Sequence, residues 1–220
     1  ACPGLTQLRC SNNSLTALNV SNSPLLTVLD ARVNRLTAID LAANTKLTTL
    51  QLGMNRLSEL SIRSQKLLEI LDVSYNSLTS LIPVCPNVNS FKAEGNDLAE
   101  LDVSPCLKIV DAIKTGTRTE ETYTYSGKNY TYYFYEGSQG TFSVDIGTTV
   151  FTEAVEINAA NFPDASLRQY VSENFDTNGN GYLSSPECLA PTRLEIYSII
   201  SSTKGIEWFT NLEYLYLVHD

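Results

Sequence analysis

The 220-residue chain is 43% hydrophobic with a mean hydropathy of -0.09, which is enough apolar surface for a core, and it holds no apolar run long enough to cross a membrane as a helix. Its 15 basic and 24 acidic side chains leave a net charge of -9, which repels phosphate backbones and excludes nucleic acid as an expected partner. The single histidine, His219, stands beside the end of the sequence and leaves little material for a multi-histidine metal site or a catalytic triad.

Five segments align, opening at Leu5, Leu26, Leu47, Leu68 and Val88, with spacings of 21, 21, 21 and 20 residues. A shorter sixth copy opens at Leu107. The shared template is L-x-x-L-x-L-x-x-N-x-L-x-x-L-x-V. Its second leucine and the small apolar residue two places on (Leu8 and Cys10, Leu29 and Ala31, Leu50 and Leu52, Leu71 and Val73, Phe91 and Ala93) fall on one side of a strand and predict a core. Asn13, Asn34, Asn55, Asn76 and Asn96 follow where the chain must turn, and a short amide there can bond backbone groups left unpaired. One coil cannot bury its apolar face alone, so the coils are expected to stack.

These residues resemble the leucine-rich repeat family, in particular the 21-residue bacterial type, over roughly residues 5–115. The resemblance implies a leucine-rich-repeat solenoid, mostly parallel β with little helix, whose strand face is an interaction surface. Alternation then places Arg9, Asp30, Gln51, Asp72, Lys92 and Asp111 in a central solvent-facing row. A flanking row runs Ser11, Arg32, Gly53, Ser74, Glu94 and Ile113, with Tyr75 just beyond it as the one obvious aromatic anchor. The binding residues expected on this face are Arg9, Asp30, Arg32, Gln51, Asp72, Tyr75, Lys92 and Asp111. Both signs of charge are interspersed, as they also would be on a solvated face with no partner.

Residues 115–155 change to alternating β-type sequence, with six of the twelve tyrosines between Tyr123 and Tyr135. Turn-rich breaks at 126–129 and 137–140 predict two hairpins, and a β-hairpin cap over the end of the array is the expected role. A sugar-stacking platform built from Tyr125, Tyr132 or Tyr133 is the sharper alternative.

Residues 156–220 carry three basic and nine acidic side chains, and they contain the most specific chemical pattern. Asp176 to Glu187 fits D-x-[DN]-x-[DN]-G-x5-E, the spacing of an EF-hand-like calcium loop. Hard Ca²⁺ requires oxygen ligands, which Asp176, Asn178, Asn180, the Tyr182 carbonyl and Glu187 would supply, with Ser184 acting through water. Residues 163–175 read as a helix before the loop and a helical turn is expected after Ser185, giving a small helix-loop-helix cap over 156–205. Two formal charges predict weak affinity, roughly 10⁻⁴ to 10⁻³ M, and hence a structural ion. This segment also resembles the cap that precedes such repeats in surface proteins of gut bacteria, which implies a bacterial extracellular or cell-surface location.

Leu212, Leu215 and Leu217 restart the repeat template, so 206–220 is expected to begin a further array, after 1–114 as the first array and 115–155 as its cap. That order is expected of a portion of a longer protein, and the open edge at 212–217 is a candidate for self-association. Cys85 and Cys106 share nearly one register in adjacent coils and form a possible disulfide, while Cys10 and Cys188 are expected to be buried thiols. No GxSxG, HExxH, GxGxxG or GxxxxGK pattern occurs. The expectation is a non-catalytic module that binds a protein or glycan, or else a spacer or targeting arm of a larger secreted protein or enzyme.

Overall fold

Each of the first five repeats yields a three-residue strand whose middle residue is apolar: β1 (Gln7–Arg9), β2 (Val28–Asp30), β3 (Thr49–Gln51), β4 (Ile70–Asp72) and β5 (Ser90–Lys92). They are parallel and in register, pairing Leu8 with Leu29, Leu29 with Leu50, Leu50 with Leu71 and Leu71 with Phe91. Leu29, Leu50, Leu71 and Phe91 are completely buried, and the second half of each coil turns Leu36, Leu57 and Leu78 into the same core. The computed structural model, which describes residues 2–218, is therefore a leucine-rich-repeat solenoid over this stretch. His219 and Asp220 lie outside the described residues.

The asparagines hold the corners together. Asn55 donates from Nδ2 to Ala31 O (3.0 Å) one coil back and to Leu52 O (2.9 Å) in its own coil, and its Oδ1 accepts from Leu36 N (3.0 Å). Asn34, Asn76 and Asn96 repeat that pattern, whereas Asn13, in the first coil, reaches only Cys10 O and Ser11 O. At the opposite corner a second column runs Ser23, Asn44, Gln65, Cys85 and Cys106. Asn44 Nδ2 donates to Val20 O (3.0 Å), Gln65 Nε2 to Leu41 O (2.8 Å), Cys85 Sγ to Gln65 O (3.8 Å) and Cys106 Sγ to Pro83 O (3.4 Å). This corrects the expected Cys85–Cys106 disulfide. Both are free thiols, and each donates to a carbonyl of the preceding coil. Burial pushes the Cys85 thiol up to about 12 and raises that of Cys106 further.

After β6 (Glu100–Asp102) the sixth copy departs from the strand pattern. Leu107 to Thr115 form a helix, α1, which buries Ile109 and Ala112, three residues apart on one face. A helix satisfies its own backbone, so it can cover the last coil without a further strand beside it. Asp111 consequently lies on α1 and not on the strand face, a correction that also removes Ile113 from the flanking row. The sixth rung comes from later in the chain. Strands β7 (Thr117–Tyr125) and β8 (Lys128–Glu136) form an antiparallel hairpin, and β9 (Thr141–Asp145) returns parallel to β5, setting Phe142 against Phe91 and Ser143 against Lys92. The sheet order is β1-β2-β3-β4-β5-β9-β8-β7, and β10 (Thr149–Phe151) joins β6 in a separate pair.

Residues 151–220 form a second unit with its own core of Phe162, Leu167, Val171, Leu183, Leu194, Ile196 and Phe209. Strand β11 (Ala154–Glu156) precedes α2 (Ala165–Asn174), whose N-cap Asp164 accepts from Leu167 N (2.9 Å). Strand β12 (Tyr182–Ser184) pairs antiparallel with β11 and leads into α3 (Ser185–Leu189). Strands β13 (Arg193–Ile196) and β14 (Tyr214–Leu217) are parallel, pairing Leu194 with Leu215 and Ile196 with Leu217. Strand β14 lies within the 206–220 segment in which the template restarts, and its parallel partner β13 precedes that segment.

Candidate interaction face and candidate calcium loop

The strand face of the first unit is built by alternation. While Leu29, Leu50 and Leu71 point inward, Arg9, Asp30, Gln51, Asp72 and Lys92 form one row across β1 to β5, extended by Ser143 of β9. In the flanking row, Arg32 makes a forked contact with Asp30, donating from Nε to Oδ1 (3.0 Å) and from Nη2 to Oδ2 (2.8 Å). The Arg32 side-chain bonds hold the Asp30 carboxyl below the usual carboxylate range. Asp72 Oδ1 accepts from Ser74 Oγ (2.6 Å) and leans over Gly53, where a Cβ would come within 2.7 Å of it.

Glu94 closes the row. It is 5% exposed, and its Oε2 accepts from Ser143 Oγ (2.5 Å). Burial raises its carboxyl, against the pull of the Ser143 hydroxyl and of Lys92. Asp145 does for the last coil what a following coil would do. Its two oxygens accept from Gly95 N (2.9 Å) and Asn96 N (3.0 Å), groups whose counterparts in earlier coils donate to backbone carbonyls. A cavity of about 300 Å³ remains on this face, bounded by Arg32, Gly53, Met54, Asp72, Lys92 and Glu94.

Tyr75 is not an exposed anchor, which corrects the expectation from sequence. It is 7% exposed, and the rings of Tyr123, Tyr125 and Tyr130 from the β7–β8 hairpin gather on it at 5.3, 5.3 and 5.2 Å. Gly95, at φ +72°, leaves room for the ring, since a Cβ there would lie 2.5 Å from Tyr75 Cδ1. Of the tyrosines considered for sugar stacking, Tyr125 belongs to this cluster, Tyr133 lies beneath Arg118 (4.5 Å), and Tyr132 donates to Glu121 Oε2 (3.0 Å). Sequence reasoning missed Ser143 and Asp145, because no repeat spacing predicts a rung supplied about fifty residues after β5.

In the second unit the loop from Asp176 to Glu187 lies between α2 and α3, with its glycines in the left-handed region: Gly179 at φ +64° and Gly181 at φ +84°. Asp176 accepts from Asn180 N and Gly181 N (both 2.9 Å), Asn178 Oδ1 from Asn180 N (3.0 Å), and Asn180 Oδ1 from Tyr182 N (2.7 Å). Glu187 spans the loop. Its Oε1 accepts from Thr177 N (2.9 Å) and its Oε2 from Ser184 N (2.9 Å), so one carboxylate ties the start of the loop to the N-cap of α3. Leu183 is completely buried in the second core. The outer strand of the loop, β12, pairs antiparallel with β11, Val155 opposite Leu183. The donors are hard oxygens folded around one turn, which fits a hard divalent cation. Among the described residues, no group of three or more His, Cys, Asp or Glu side chains could hold a metal, so an ion here would depend on amide and carbonyl oxygens beside Asp176 and Glu187.

No family model matches this chain, and no curated protein matches it. Among solved structures it is similar to the functional domain of InlJ from Listeria monocytogenes, which includes a cysteine ladder. The likeness has 33% identity and a TM-score of 0.47, and covers 47% of this chain and 23% of that one. The chain thus spans less than a quarter of the Listeria chain.

Proposed function

We propose that the chain is a non-catalytic binding module of a bacterial extracellular or cell-surface protein, and that its strand face engages a protein partner. The observation that carries this reading is the in-register row from Arg9 to Lys92, which holds both signs of charge on a sheet whose opposite face is completely buried from Leu29 to Phe91. Such a surface is pre-organised, so little side-chain ordering would oppose association. The Asp176–Glu187 loop serves as a structural Ca²⁺ site that braces the second unit.

The test is selection of a displayed protein library on the 220-residue chain, followed by titration of the selected binders against Arg32→Glu/Lys92→Glu. Loss of tenfold or more in affinity supports the face, and unchanged affinity for every binder removes it. A second reading, a spacer within a larger protein, is favoured by the self-pairing of Arg32 with Asp30, Asp72 with Ser74 and Glu94 with Ser143. A spacer would yield no binder that is sensitive to these two substitutions.

A further inference from the structure

The outward face of the second unit is chemically unlike that of the first. In β13, Leu194 and Ile196 are 0% and 1% exposed, so their neighbours Arg193, Glu195 and Tyr197 project the other way. Register places Tyr214 beside Arg193 and Tyr216 beside Glu195. Tyr197, Tyr214 and Tyr216 are 64%, 61% and 50% exposed, and the rings of Tyr197 and Tyr216 lie 6.2 Å apart. These rings fill no core. Their display on one strand face is what a stacking surface requires.

The charges between the rings cancel. Arg193 and Glu195 form an ion pair, with Arg193 Nε donating to Glu195 Oε1 (2.5 Å), and Tyr197 OH donates to Glu195 Oε2 (3.3 Å). The Arg193 guanidinium also lies 5.9 Å from the Tyr214 ring centre. Beyond the strand ends, a cavity of about 560 Å³ is lined half by hydroxyl residues, Ser198, Ser201, Ser202 and Thr203, and half by aliphatic ones that include Leu217 and Val218. Phenol rings, one neutral pair rich in donors and acceptors, and a hollow of mixed hydroxyl and aliphatic lining together form a surface without net charge.

We propose that this face, formed by Tyr197, Tyr214, Tyr216 and the Arg193–Glu195 pair, is a binding site for a neutral polysaccharide. A pyranose ring has an apolar C–H face that would rest on a tyrosine ring, and hydroxyls at its edge that would bond the guanidinium and carboxylate in pairs. Nucleic acid is disfavoured because Arg193, the only cation among these groups, is already paired. A protein anchor would instead be expected to fill a desolvated pocket, whereas these rings stand open. The site is independent of the strand face of the first unit.

The test is affinity electrophoresis of the 220-residue chain through gels containing hydroxyethylcellulose, amylopectin, xylan or galactomannan. The proposal expects retardation by at least one of these polymers, insensitive to added salt. Retardation should weaken about tenfold in Tyr214→Ala/Tyr216→Ala and persist in Tyr216→Trp and in Arg32→Glu/Lys92→Glu. Trp208 fluorescence checks that each variant is folded. If the double variant is not, protection of Tyr214 and Tyr216 of the unsubstituted chain from nitration by the retarding polymer decides the question, and no protection overturns the proposal. It is equally overturned if none of these polymers retards the chain, if the double variant is retarded unchanged, or if its sole effect is to abolish self-association seen by light scattering.

Discussion

An asparagine at the corner of each coil does the work of three backbone partners, and its worth depends on having a coil before it. Asn55 serves Leu36 N, Ala31 O and Leu52 O in a buried setting, whereas Asn13 is exposed and bonds only within its own coil. Asn55→Ala is therefore expected to cost about 2–4 kcal/mol and Asn13→Ala less than about 1 kcal/mol, measured by urea denaturation. Equal costs would mean that the corner bonds do not couple neighbouring coils. Asparagine recurs at this corner five times, which made the first column legible in the sequence. The second column changes chemistry from Ser23 through Asn44 and Gln65 to Cys85 and Cys106 while keeping one role, donation to the preceding coil. Reading residue types instead of donors therefore led to a disulfide.

Glu94 allows a test of electrostatics at the same scale. Burial sets its folded pKa above the unfolded value of about 4.3, while Asp72 raises it and Ser143 and Lys92 oppose the rise. Above the folded pKa, the ionised group subtracts stability, and that penalty fades as pH falls through the folded pKa toward the unfolded one. Glu94→Gln keeps an acceptor for Ser143 and removes the charge. It should melt higher than the unsubstituted chain at pH 8, with the difference closing by about pH 4. A difference that is flat between these values would show that Glu94 pays no penalty for ionising.

At the scale of elements, the five strands followed from periodicity because each coil turns one apolar strand residue inward, completely buried from the second coil on. The sixth copy did not follow. Leu107, Val110, Ala112 and Ile113 suit an extended template and a helical one alike, and covering an end favours the element that needs no further neighbour. The hairpin was legible from its turns, but its contact with Tyr75 was not, since nothing local links residue 75 to residues 123–130. Tyr75 has φ +52°, a conformation asparagine tolerates, so Tyr75→Asn removes the ring without adding backbone strain. That change should destabilise the first unit by about 3 kcal/mol and speed proteolysis near Ser126 and Gly127. Unchanged proteolysis would mean that the three-ring cluster does not pin the hairpin.

At the scale of the molecule, two cores divide the chain at residues 150 and 151, and each unit can be followed separately because the single tryptophan, Trp208, lies in the second. Calcium bound by the Asp176–Glu187 loop would stabilise only the unit that holds the loop. With a dissociation constant near 10⁻⁴ M, about 10 mM calcium is roughly a hundredfold excess and adds about 2.7 kcal/mol. For a unit of this size that raises the transition read by Trp208 by about 10–20 °C. Glu187→Gln is the informative control. Glutamine can accept through only one of the two oxygens by which Glu187 holds Thr177 N and Ser184 N, and it lacks the charge and second carboxylate oxygen that a cation needs. The variant should therefore melt below the unsubstituted chain already without calcium, and show little calcium-dependent rise from its own baseline. A rise that survives Glu187→Gln would place the ion elsewhere, and no rise in the unsubstituted chain would leave the loop as a turn closed by its own hydrogen bonds.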